Sequence, residues 1–126
     1  MSTPTAIILF AHGARAASWA APFERLRELT QARKPDVAVK LAFLELMTPR
    51  LPELVAQLAR DGVRELTVVP VFLGQGGHVL HDLPVMIDQL KADHPQLAIK
   101  VVEAIGENAG VLAAIADYCV GAADAQ

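Results

Sequence analysis

Cysteine is all but absent from this 126-residue chain. Cys119 stands alone, which excludes an internal disulfide and any zinc-type cysteine pair. A basic surplus is also missing. Eleven Lys and Arg against 14 Asp and Glu leave a net charge of −3, unlike the basic footprint of a nucleic-acid binder. The basic residues that exist, among them Arg25, Arg33, Arg60 and Lys91, are scattered where solvated helix faces should lie. No apolar run reaches the length of a membrane span, and the opening "MSTPTAIILFAHG" lacks a basic leader. A cytoplasmic protein with no nucleic-acid and no membrane partner is the expectation.

What the chain does have is apolar bulk. Hydrophobic residues make up 53% and charged residues 20%, a balance that suits a folded core and argues against disorder. One domain spanning residues 1–126 is expected, ordered over about 5–120 and fraying at "GAADAQ". Cys119 falls on the apolar stripe of the last expected helix, as a small buried hydrophobe.

Short apolar runs alternate with helical patterns. Residues 5–11 read as a strand buried on both faces, stopped by "HGAR". Trp19, Phe23, Leu26 and Thr30 recur at helical spacing over residues 17–34, before Pro35. Residues 37–45 are the second strand. Thr48 is the expected N-cap of a helix with apolar Leu51, Leu54, Val55 and Leu58, closed by Asp61-Gly62. Residues 65–72 are the third strand, with Pro70 near its end. Asp82 is the expected cap of the third helix, with Pro84 in its first turn. Residues 97–102 are the fourth strand. A last helix from about Asn108 should carry Leu112, Ile115, Ala116 and Cys119 inward. The order β-α-β-α-β-α-β-α implies a single-domain three-layer α/β/α fold around a four-stranded parallel sheet with right-handed crossovers.

In such sheets ligands bind beyond the carboxyl ends of the strands. The first strand delivers His12, Gly13 and Arg15 to that edge, the second Glu45, the third the glycine loop and His78, and the fourth Glu103. Two imidazoles and a carboxylate from three strands should meet at one rim. "GQGGHV" has no P-loop lysine, so nucleotide phosphates are not the expected ligand. Gly76 and Gly77 instead let a bulky ligand approach the backbone. Neutral imidazoles with a carboxylate suit divalent first-row metals, and the same imidazoles can accept protons near neutral pH. His81 and His94 read as surface residues. No serine or cysteine nucleophile stands at the strand edge, which disfavours a hydrolase.

"HGAR" after the first strand, "AFLE" ending the second and "VPVFLGQGGHVLHDLP" after the third resemble the short-form sirohydrochlorin chelatases, the class II cobalt and iron chelatases of cobalamin and siroheme biosynthesis. The resemblance runs from about Ala6 to Gly106. It implies insertion of a divalent metal, Co2+ or Fe2+, into the tetrapyrrole sirohydrochlorin, without a nucleotide or redox cofactor. It places the two metal-site histidines at His12 and His78 and the strand-ending glutamate at Glu45. By analogy with longer relatives that hold two such domains in tandem, a single-domain chain should pair as a homodimer. One residue departs from the family pattern: Ala14 stands where "HGSR" has serine.

On this reading His12 and His78 hold the ion or take the two pyrrole protons, and Glu45 orients a histidine or accepts a proton. Arg15 forks onto a substrate carboxylate. Gly76, Gly77 and the apolar Val79, Leu80 and Leu83 leave room for a flat macrocycle. Co2+, Fe2+ and Ni2+ all suit imidazole. The rival reading is a metal or tetrapyrrole carrier without turnover, which the loss of the serine hydroxyl at Ala14 favours.

Overall fold

The structure, a computed structural model, describes residues 4–74 and 76–124; the side chains of His78 and Leu80 fall outside what it describes. Four parallel strands, β1 (Thr5–Ala11), β2 (Ala38–Phe43), β3 (Glu65–Pro70) and β4 (Ala98–Val101), lie in the order β2-β1-β3-β4. The helices α1 (Ala21–Arg33), α2 (Leu51–Arg60), α3 (Gly77–Asp93) and α4 (Ala109–Asp124) alternate with them. The α/β alternation and the four-stranded parallel sheet expected from the sequence are what the chain forms.

Register explains the burial. Ala6 lies opposite Ala38 and Leu66, and Ile8 opposite Lys40 and Val68. In a parallel sheet such partners share a face. The face bearing Ala6, Ile8, Phe10, Leu66, Val68 and Ile99 packs against Leu51, Leu54, Val55 and Leu58 of α2 and Val79, Leu83, Ile87 and Leu90 of α3. The opposite face gathers Ala11 and Phe43 with Ala20, Trp19 and Phe23 around the start of α1. The Trp19 and Phe23 rings lie 4.5 Å apart. α1 covers β2 and part of β1, and α4 lies beside the 3-10 turn Ile105–Glu107 rather than on the sheet.

The open edge of β2 is blocked by side chains. Gln31 donates from Nε2 to the Val37 carbonyl (2.7 Å) and accepts from the Val39 N–H (3.1 Å). These bonds occupy the start of the β2 edge and hinder pairing with another strand there.

Four expectations are corrected. Helix α3 begins at Gly77, not after Asp82, so Pro84 lies inside it. Proline there forgoes the bond to the carbonyl four residues earlier, and burial of Val79, Leu83, Ile87 and Leu90 along one stripe outweighs that loss. Thr48 does not cap α2. The cap position is Arg50, extended at φ −81 and ψ 157, with no side-chain bond, and Pro52 sits in the first turn where no N–H is needed. Leu112, Ile115, Ala116 and Cys119 do not point inward, because no residue of α4 is buried. The helix also continues through Asp124, where fraying was expected from Gly121 onward. Gly62, as anticipated, closes α2 with a left-handed φ of +92.

Candidate functional site

The strand order locates the rim. β1 leads outward to β2 on one side, and β3 leads outward to β4 on the other. The connections diverge between β1 and β3, which is where open α/β sheets leave a crevice for ligands. His12 follows β1 directly, and His78 is the second residue of α3, after the loop from β3. The backbone therefore places both histidines at the carboxyl edge of the sheet, one directly after β1 and one at the start of α3. The His78 side chain lies outside the described residues.

His12 is half-buried, and its ring stacks on Phe72 with centroids 4.3 Å apart and planes tilted by 35°. Phe72 is itself 3% exposed and meets Phe10 edge-on at 5.7 Å. The imidazole thus rests on an aromatic column rooted in the core. Its backbone is fixed as well: the His12 carbonyl accepts the Glu45 N–H (3.1 Å), and the Ala11 carbonyl accepts the Leu44 N–H (2.9 Å).

Gly13 allows this close approach of two loops. Its φ is +92, and a Cβ there would collide with the Glu45 carbonyl oxygen. Glu45 is exposed at the rim. The next residue, Leu46, adopts φ 68, and the Met47 N–H donates back to the Glu45 carbonyl at 2.8 Å. This is a γ-turn with a branched residue at a left-handed φ, a conformation costing about 1–2 kcal/mol. Leu46 and Leu73 are large apolar residues exposed at this end of the sheet.

Arg15 is exposed and borders a cavity of about 400 Å³ with Ala14, Ala17, Glu24, Leu46 and Met47. Gly76 and Gly77 are exposed, and a Cβ on either would meet nothing within 4 Å. Neither has a left-handed φ, so the fold itself does not demand glycine there. Val79, expected beside the ligand, is 5% exposed and packs into the core under the sheet, as does Leu83 at 9%. Glu103 accepts a bond from the Asn108 Nδ2 (3.0 Å), which ties it to the start of α4. Gly106 is pressed against Leu73, where a Cβ would strike the Leu73 backbone, and its N–H donates to the Phe72 carbonyl (2.9 Å).

Among the described residues, no group of three or more His, Cys, Asp or Glu side chains could hold a metal ion, and no helix is long and apolar enough to cross a membrane. Phe72 was not singled out in the sequence. The signal for it there is an aromatic residue two positions before the first glycine of the loop, Gly74.

A model of the CbiX family matches residues 6–120. The chain belongs to the CbiX family. The resemblance carried by "HGAR", "AFLE" and the glycine loop is therefore one of kinship. Similar CbiX relatives include the sirohydrochlorin cobaltochelatase of Methanopyrus kandleri, 34% identical over 82 residues, 65% of this chain and 57% of its own. That of Sulfurisphaera tokodaii is 28% identical over 100 residues, 79% of this chain and 78% of its own. The matched stretch spans 57%, 62% and 54% of the length of three archaeal relatives. A CbiX protein from Marinobacter aquaeolei has the same architecture, with a TM-score of 0.84 at 37% identity over 96% of this chain and 98% of that one. The sirohydrochlorin chelatase SirB from Bacillus subtilis subspecies spizizenii, in complex with cobalt, shares the fold: TM-score 0.73, 24% identity, 84% of this chain and 45% of that one.

Proposed function

We propose that this CbiX chain inserts a divalent metal, Co2+ or Fe2+, into sirohydrochlorin. The observation that carries the reading is the position of His12: a half-buried imidazole at the switch point of the sheet, held on Phe72, with the backbone of His78 arriving from the neighbouring strand. Relatives in the family named sirohydrochlorin cobaltochelatase support the substrate.

Metal insertion must strip water from the ion and remove two protons from pyrrole nitrogens. His12 and His78 hold the ion or take those protons, each ring offering its one free nitrogen lone pair to one of the two tasks. Glu45 at the rim is the carboxylate within the same backbone-bonded pair of loops, and it receives a proton or orients a ring. Arg15 forks onto a peripheral carboxylate of the macrocycle. The open space over Gly76 and Gly77, with exposed Leu46 and Leu73 at the same edge, suits the flat apolar faces of a tetrapyrrole. The metal is a substrate here, delivered to the macrocycle, so the protein needs only an open site. Ni2+ fits the same donors.

The chain acts as one chelatase-like unit and pairs with a second copy, in a cytoplasmic setting where its lone cysteine stays reduced. The test is the absorption change of sirohydrochlorin on mixing with Co2+, Fe2+ or Ni2+. Multiple turnovers faster than metal in buffer support the enzyme. A single stoichiometric binding event, with no acceleration, replaces it with the carrier reading that Ala14 favours.

A further inference from the structure

Among the described residues, the last helix makes its main contacts with the 3-10 turn Ile105–Glu107 and buries none of its own residues. By helical spacing Leu112, Ile115, Ala116 and Cys119 fall on one side of α4, and its only charges, Asp117 and Asp124, on the other. That pattern is built for burial. Yet Leu112 is 45% exposed, Ile115 38%, Tyr118 79% and Val120 63%.

The sheet has the matching deficit. On the face covered by α1 over β2 and β1, the β3–β4 half carries Thr67 and Val69 half-buried and Ala98 and Lys100 exposed. A cavity of about 290 Å³ opens there, bordered by Glu65, Thr67, Ala98 and Lys100. α2 and α3 occupy the other face. One helix is thus missing from a layer, and one helix of the same chain lacks a layer.

We propose that α4 is exchanged between two copies of this chain, each lying over the β3–β4 half of the other's sheet. This rests on the homodimer proposed above and states how it is built.

The connector explains why α4 does not fold back onto its own sheet. Gly106 is locked against Leu73 and bonded to the Phe72 carbonyl. Asn108 caps α4 by accepting the Val111 N–H (3.1 Å) while donating to Glu103. These contacts fix the direction in which the helix departs. Its 16 residues extend about 24 Å at 1.5 Å each. The six residues of β3 span about 20 Å, so helix and seat match in length. A helix about 10 Å across has a footprint near 240 Å². Counted on both surfaces for two reciprocal helices, this is about 1,000 Å² in projection, and accessible area exceeds projection. It approaches the roughly 1,200 Å² at which stable interfaces begin. Because α4 leaves from the rim that holds Phe72 and His12, exchange sets the rims of the two copies near each other.

The lone cysteine makes the test direct. Thr67→Cys and, separately, Ala98→Cys place a second thiol on the open face, opposite native Cys119 of the stripe. The full chain is treated with a short bis-maleimide and run on a denaturing gel, with sedimentation velocity on untreated protein. Exchange predicts a covalent dimer with either variant, abolished by adding Cys119→Ala and absent from the unsubstituted chain. An internally linked monomer would mean that α4 docks on its own sheet, and overturns the proposal. Linkage of the unsubstituted chain through Cys119 alone would mean helix-to-helix pairing, and overturns it too. A dimer by sedimentation that links with neither variant overturns exchange and leaves the homodimer standing. A monomer by sedimentation overturns both.

Discussion

The imidazole of His12 lies on the ring of Phe72, centroids 4.3 Å apart, and Phe72 is rooted in the core. The orientation of the proposed metal ligand is therefore set by packing. Phe72→Leu keeps most of the apolar volume but removes the stacking surface. It should lower stability by less than about 1.5 kcal/mol in urea unfolding while slowing metal insertion clearly. Phe72→Ala should instead cost about 3–5 kcal/mol. Equal insertion rates for wild type and the leucine variant would show that the Phe72 ring does not orient His12.

Gly13 and the Gly76-Gly77 pair make opposite predictions. Gly13→Ala must place a Cβ at a left-handed φ and against the Glu45 carbonyl, so strain and collision add. It should destabilise by about 2 kcal/mol or more, read from the urea midpoint.

Gly76→Ala and Gly77→Ala meet open space at ordinary backbone angles. Each should leave stability unchanged or raise it by about 0.4–1 kcal/mol. If the macrocycle lies over these residues, each methyl should raise the apparent KM for sirohydrochlorin. Stable variants with unchanged KM would move the macrocycle elsewhere.

Gln31 shields the edge of β2 through both its amide atoms. Gln31→Ala should lower stability by about 1 kcal/mol and raise light scattering at high concentration, because the freed edge can pair with another chain. Scattering equal to wild type would show that the edge needs no shield.

Much of this was legible in the sequence, for identifiable reasons. β1 is bounded by Pro4 and by His12-Gly13, and the strand runs over the expected Thr5–Ala11. Gly62 closes α2 because a left-handed turn there favours glycine. Two things were not legible. The start of α3 was misplaced because Pro84 is a local signal, whereas the stripe Val79, Leu83, Ile87 and Leu90 that keeps the helix going acts through a sheet elsewhere in the chain. The stripe on α4 was visible as a stripe, but periodicity says only that a surface must be covered and not whose surface covers it. The same holds at the site. His12 and Glu45 could be assigned to one rim from strand ends alone. The Phe72 stack and the divergence between β1 and β3 depend on strand order, which no local pattern encodes.

His12 and His78 together make the proposed metal site. Its most direct measurement is the rate of Co2+ insertion into sirohydrochlorin by His12→Ala, His78→Ala and the double variant, each shown folded by its unfolding transition. A shared site requires a loss of about a hundredfold or more for each single variant and a double variant hardly worse than either, as groups working as a unit demand. Wild-type rates in either single variant, or losses that multiply in the double, would contradict it.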